Sequence, residues 1–215
     1  MARPSTRAAC GLPARGIVFC AMHTTMKLNP TLFDCWMRLL ASVPGSVLWL
    51  LKAAPRATDN LRREALARGI DPSRLIFADP VPPEQYLARL SIADLFLDAT
   101  PFNAHTTASD ALWAGLPLIT CGGANFAGRV ATSVLHAIGL PELATADLAA
   151  YETLARDLAL DPQRLAALKA TLGVNRGKAP LFDTARHTRY LEHAYERMWA
   201  RAEAGLPPES FDVPA

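Results

Sequence analysis

The chain has 215 residues, with 22 lysines and arginines against 20 acids, so its formal net charge is +2. That length makes one large domain or two small ones, with enough core to dispense with disulfides and metals. At 51% hydrophobic and 20% charged it is too apolar for disorder. Its balanced charge argues against nucleic-acid binding through an overall field, and no apolar run reaches the ~18 residues that span a bilayer.

The first fifteen residues read as an extension. Arg3, Arg7, Arg15 and Lys27 precede the first acid, Asp34. That distribution faintly resembles a transit peptide, but Arg15 interrupts any signal core and residues 16–22 suit a strand instead. This run, GIVFCAM, is continuously apolar and fits a strand buried on both faces. Asn29-Pro30 then opens a helical pattern in which Leu32, Phe33, Trp36, Leu39 and Leu40 recur at threes and fours, until Pro44-Gly45 stops it. Residues 46–51 read as a second buried strand. Residues 58–68 read as a charged helix closed by Gly69. A third strand is expected over 74–78. Pro82-Pro83-Glu84 starts a helix over 85–90, because proline suits a first turn. Residues 93–98 are a fourth strand, 106–114 a helix, 116–121 a fifth strand and 126–138 a helix closed by Gly139.

Five strands alternating with helices predict an α/β fold, a parallel sheet with helices on both faces. After Pro141 the pattern is wholly helical, with helices expected over 147–158, 161–172 and 183–202. Residues 16–145 form the expected lobe, 146–204 a helical segment of the same lobe, and 205–215 a Pro-rich, flexible tail. Cys10, Cys20, Cys35 and Cys121 show no C-x-x-C pair and no metal spacing, which suits reduced thiols in the cytoplasm.

Ligands of an open parallel sheet bind beyond the carboxyl ends of its strands, so the loops there carry the chemistry. The loop after the fourth strand leads through His105 into a helix beginning Thr106-Thr107. A helix start offers unsatisfied N–H groups and positive potential to a phosphate. Thr106 or Thr107 could equally be a plain cap. Asp110 reads as a first-turn carboxylate that would repel phosphate unless it faces hydroxyls, as on a ribose. After the first strand come His23, which could be a base but reads more readily as polar surface, then Thr24, Thr25 and Lys27, whose ammonium can meet a phosphate. After the third strand come Tyr86, able to stack on a base or simply to pack, and Arg89. Gly122-Gly123 and Arg129 follow the fifth strand.

The run from Asn103 to Pro117, NAHTTASDALWAGLP, resembles the sugar-nucleotide motif of the O-linked N-acetylglucosamine transferase and SPINDLY-type protein glycosyltransferase family. Lys27-Leu28-Asn29-Pro30, residues 43–51 and Arg129-Val130-Ala131 also match, as do Gly139-Leu140-Pro141-Glu142-Leu143 and residues 180–184. The likeness runs from about Cys10 to Trp199. It implies a Rossmann-like sheet, the C-terminal lobe of the two-lobed GT-B fold. It implies that Lys27 contacts the diphosphate as the catalytic cation, that His105, Thr106 and Thr107 bind phosphate, that Asp110 binds ribose, and that Arg89 lies near the base. Three positions depart from the family pattern. Thr24 stands for a glutamine near the phosphates, Pro83 for a lysine near the nucleoside and Tyr86 for a histidine against the base.

The resemblance implies transfer of a sugar from a nucleotide donor, UDP-N-acetylglucosamine, to protein Ser or Thr hydroxyls in the cytoplasm. No metal or other cofactor is expected, and no D-x-D motif occurs. It also implies that an N-terminal lobe and tetratricopeptide repeats, in cis or in trans, complete the enzyme. A non-catalytic nucleotide-binding module, a truncated gene product, a split enzyme and a GDP-fucose transferase are the competing expectations.

Overall fold

The strands β1 (Val18–Ala21), β2 (Val47–Leu51), β3 (Leu75–Ala78), β4 (Leu95–Leu97), β5 (Leu118–Cys121) and β6 (Ala144–Thr145) lie parallel, in the order β3-β2-β1-β4-β5-β6. The computed structural model describes residues 5–213. At the centre, Phe19 of β1 is in register with Leu48 of β2 on one side and Leu95 of β4 on the other. Every residue of β1, β4 and β5 is buried. Continuous apolar runs are needed there because helices cover both faces of the sheet.

The helices follow their local chemistry. In α1 (Pro30–Ser42), proline fills the first position and the Asn29 side chain accepts from the Leu32 N–H at 3.0 Å. The expected stripe of Leu32, Phe33, Trp36, Leu39 and Leu40 is the face it buries. α2 (Pro55–Ala67) starts three residues before the sequence expectation, because Pro55 already fixes a first-turn φ. α3 (Pro83–Leu90) and α4 (Thr106–Trp113) lie where expected. The single helix expected over 126–138 is a 3-10 turn, Phe126–Gly128, followed by α5 (Val130–Ile138). The Asn125 side chain closes that turn by accepting from the Gly128 N–H at 2.7 Å. Gly128 is required there: a Cβ would sit 2.9 Å from the Pro101 carbonyl oxygen.

Beyond Pro141 the chain is not wholly helical. The two residues of β6 pair with Thr120 and Cys121, and a strand so short has no period for a sequence to display. Three helices then follow, α6 (Leu148–Leu160), α7 (Pro162–Asn175) and α8 (Thr184–Glu203). Asp147, Asp161 and Asp183 cap them, accepting from the N–H groups of Ala150, Arg164 and Arg186 at 2.8, 2.9 and 2.9 Å. α6 closes the core. Its buried Tyr151 hydroxyl donates to the Asp98 carbonyl at 3.0 Å and accepts from Trp36 Nε1 at 3.3 Å. α8 is different, because none of its residues is buried.

The N-terminal end packs against the lobe as far as it is described, whereas the C-terminal tail folds back on α8. Arg7 reaches the Asp94 carboxylate at 2.6 Å and the Gly16 carbonyl at 2.9 Å, and Leu12 is buried. Arg3 of the transit-like stretch lies outside the described residues. The tail expected to fray turns back at Gly205 (φ 68°), with the Leu206 N–H bonded to the Arg201 carbonyl at 3.0 Å. Arg201 then meets the Pro207 carbonyl and the Glu209 carboxylate, at 2.6 and 2.7 Å, and Arg197 lies over the Phe211 ring. Pro214 and Ala215 lie outside the described residues. Among the described residues no helix is long and apolar enough to cross a membrane.

Candidate functional site

The strand order reverses between β1 and β4, and a crevice opens at such a switch point beyond the carboxyl ends. The loop leaving β1 forms a single 3-10 turn, Thr25–Lys27, with exposed Thr24 ahead of it. Half-buried Lys27 points across the crevice, its Nζ donating to the Asn103 carbonyl at 2.7 Å and lying 4.3 Å from the Phe102 ring centroid. Burial lowers the Lys27 pKa, and the Asp98 carboxylate pulls it back up.

The loop leaving β4 runs from Asp98 to His105 and contains a cis Thr100–Pro101 bond. His105 stacks on Phe102 at 5.1 Å, meets Phe126 edge-on at 6.1 Å, and places Nε2 3.3 Å from the Ala127 carbonyl. α4 begins immediately after it with no side-chain cap. The N–H groups of Thr106 and Thr107 therefore have no acceptor within the helix. The capping role considered for the two threonines is not the one they hold, since His105 occupies the cap position.

A cleft of about 280 Å³ is lined by Thr24, Thr107, Tyr86 and Arg89, together with apolar Met22 and Leu51. Arg89 Nη1 donates to the Asp79 carbonyl at 2.8 Å. The Tyr86 hydroxyl is buried without a partner, and burial, with Cys20 and the Asp110 charge, pushes its pKa up. Asp110 is not in the first turn. It is the fifth residue of α4, where burial raises its pKa, so favourable interaction with the helix start does not account for it. Its charge is felt instead by Tyr86 on α3. Four of the eight predicted site residues thus line this cleft, while Lys27 and His105 lie on the loops leaving β1 and β4, and Thr106 and Asp110 lie on α4. A larger cavity of about 730 Å³, lying between α2 and β3, contains none of them.

His23 is not polar surface. It is 4% exposed, with Nε2 3.0 Å from the Leu97 carbonyl and its ring edge-on to Phe96. Desolvation pulls its pKa down to about 4, so it is neutral at pH 7. Sequence reasoning also missed two buried residues under the crevice, Asp98 and Asn103. The available clue was an acid ending the otherwise apolar stretch LFLD. Among the described residues no group of three His, Cys, Asp or Glu side chains is arranged to hold a metal.

The family profile described as glycosyl transferase family 41 matches residues 3–191. The chain belongs to that family. The UDP-N-acetylglucosamine–peptide N-acetylglucosaminyltransferase of Caenorhabditis elegans is 36% identical over 203 residues, 94% of this chain and 18% of its own length. The probable transferase SEC of Arabidopsis thaliana is 36% identical over 208 residues, 96% of this chain and 21% of its own. A solved O-GlcNAc transferase mutant of Thermobaculum terrenum superimposes with a TM-score of 0.82 at 32% identity, over 86% of this chain and 36% of that one. This family 41 chain therefore spans about a fifth of the length of these curated relatives and about a third of that structure. Its Rossmann-like sheet, with strand order 3-2-1-4-5-6, is the lobe of a GT-B fold.

Proposed function

We propose that this chain is the donor-binding lobe of a protein O-glycosyltransferase. It holds UDP-N-acetylglucosamine while the sugar passes to a Ser or Thr hydroxyl of a protein acceptor. One observation carries the reading: Lys27 and the uncapped start of α4 converge at the switch point of the sheet. As the glycosidic bond breaks, the leaving nucleoside diphosphate gathers negative charge. A fixed ammonium and oriented N–H groups aimed at that charge lower the barrier. His105, Thr106 and Thr107 take the phosphates, Asp110 the ribose hydroxyls, and Thr24, Tyr86 and Arg89 the nucleoside end of the cleft.

The short coverage of its relatives supports a longer or multi-chain enzyme, in which another lobe and the repeats supply the rest of the cleft and the acceptor surface. The chain alone is then expected to bind nucleotide without sustained transfer. Four free cysteines suit the reducing cytoplasm.

Calorimetric titration with UDP, GDP and their sugars tests the reading. UDP binding should weaken by about tenfold or more in Lys27→Ala, and likewise in the Thr106→Ala/Thr107→Ala pair, since each tenfold is only ~1.4 kcal/mol. Normal binding by these variants would mean that the phosphate site lies elsewhere. Tighter binding of GDP would replace uridine with guanosine in the proposal.

A further inference from the structure

Beneath the crevice lies a carboxylate that the proposed chemistry does not use. Asp98 closes β4 and is 1% exposed. Its Oδ1 accepts from the N–H groups of Ala99 and Ala104, at 2.7 and 2.6 Å, and its Oδ2 accepts from the Thr120 hydroxyl at 2.6 Å. Three donors, two from one loop and one from β5, thus converge on a single buried side chain. His23 Nε2 stands 3.8 Å away.

What these bonds hold is specific. Ala99 and Ala104 are the two ends of the loop that crosses the crevice, and Ala104 is two residues before the start of α4. Between them, the Asn103 side chain donates to the Ala99 carbonyl at 2.9 Å, while its own carbonyl receives Lys27 Nζ at 2.7 Å. The same loop therefore fixes the direction of the first α4 N–H groups and the resting place of the Lys27 ammonium.

We infer that Asp98 is a positioning residue for diphosphate binding: by clamping both ends of the 99–104 loop it holds Lys27 and the α4 N-terminus in mutual register without touching the ligand. Oδ1 must accept, because both its partners are backbone N–H groups, and a charged acceptor makes the stronger bonds. The carboxylate is maintained there against burial, which drives its pKa up to about 7. The inference rests on the diphosphate reading above, but its loop clamp can be measured without any ligand.

The experiment compares the wild type, Asp98→Ala and Asp98→Asn at pH 8, where the wild-type carboxylate is ionised. Asparagine keeps one oxygen for the two N–H groups and turns its amide toward Thr120, whose hydroxyl can accept. Amide exchange at Ala104 should accelerate in Asp98→Ala and stay near wild type in Asp98→Asn. UDP affinity should fall about tenfold in the alanine variant and recover to within about threefold in asparagine, in protein shown by circular dichroism to be folded. Unchanged Ala104 exchange in folded Asp98→Ala overturns the clamp, as does an asparagine variant as impaired as alanine. If Asp98→Ala does not fold, Asp98→Asn decides alone: fast Ala104 exchange, or affinity down by an order of magnitude, refutes the inference. A wild type that ignores UDP while Asp98→Ala loosens Ala104 would sink the diphosphate reading and leave the clamp standing.

Discussion

His23 and Asp98 sit side by side with opposite costs of burial. Desolvation lowers His23 to about 4 and raises Asp98 to about 7. Unfolded histidine takes up its proton near 6.5, so the stability tied to His23 is full above that pH and is lost as pH falls toward 4. Asp98 works the other way. Its contribution is full below the ordinary value of 3.8 and is lost as pH rises through about 7. Between roughly pH 4 and 6.5 the two slopes oppose each other. Urea midpoints measured across that window should drop more steeply on acidification in Asp98→Asn than in the wild type, because the opposing aspartate is gone. In His23→Asn they should shift upward on acidification relative to the wild type, because the histidine is gone. Parallel slopes in the two variants would show that the groups do not titrate as described. Neither residue was legible as buried from the sequence. A histidine after an apolar run reads as loop, and only the pairing of β1 with β4 carries it under Phe96 and Leu97. By contrast the places of Lys27 after β1 and of His105, Thr106 and Thr107 at the start of α4 were legible, because a strand end and a helix start are local patterns.

Helix starts were the most readable elements because their chemistry lies within four residues. Asn29-Pro30, Asp161-Pro162 and Pro82-Pro83 announce α1, α7 and α3, and the structure begins each helix within two residues of the expectation. What escaped were features fixed from outside the segment. β6 exists because β5 offers it an edge, and a glycine is needed at 128 because the chain passes close to the Pro101 carbonyl there. Asn29 joins both kinds of constraint. Its Oδ1 caps α1, while its Nδ2 donates to the Thr100 carbonyl at 2.7 Å, on the crevice loop. Asn29→Ala should therefore cost more than an ordinary cap, about 2 kcal/mol by urea unfolding. A loss below about 0.5 kcal/mol would mean that neither bond matters to the fold.

At the scale of the whole molecule, the conspicuous surface is the outer face of α8. Leu191, Tyr195, Met198 and Trp199 are all exposed there, at helical spacing along one stripe. None of the four is buried among the described residues. Such a stripe is apolar surface open to association. The isolated chain should then self-associate as its concentration rises, as seen by sedimentation velocity. Replacing Tyr195→Ser and Trp199→Ser together should suppress that association and leave the urea midpoint within about 0.5 kcal/mol, since no α8 residue is buried. Unaltered association, or a large loss of stability, would assign the stripe an internal role.

Tyr151 sets a limit on modularity. Its hydroxyl bridges Trp36 on α1 and the Asp98 carbonyl at the end of β4, although it lies on a helix that follows the last strand. The sheet and the helices after it are therefore not exchangeable parts. A recombination junction placed between β5 and α6 would join two halves that each lack a hydrogen-bonding group the other supplies. Shuffling within this family is expected to keep residues 18–160 together as one inherited block.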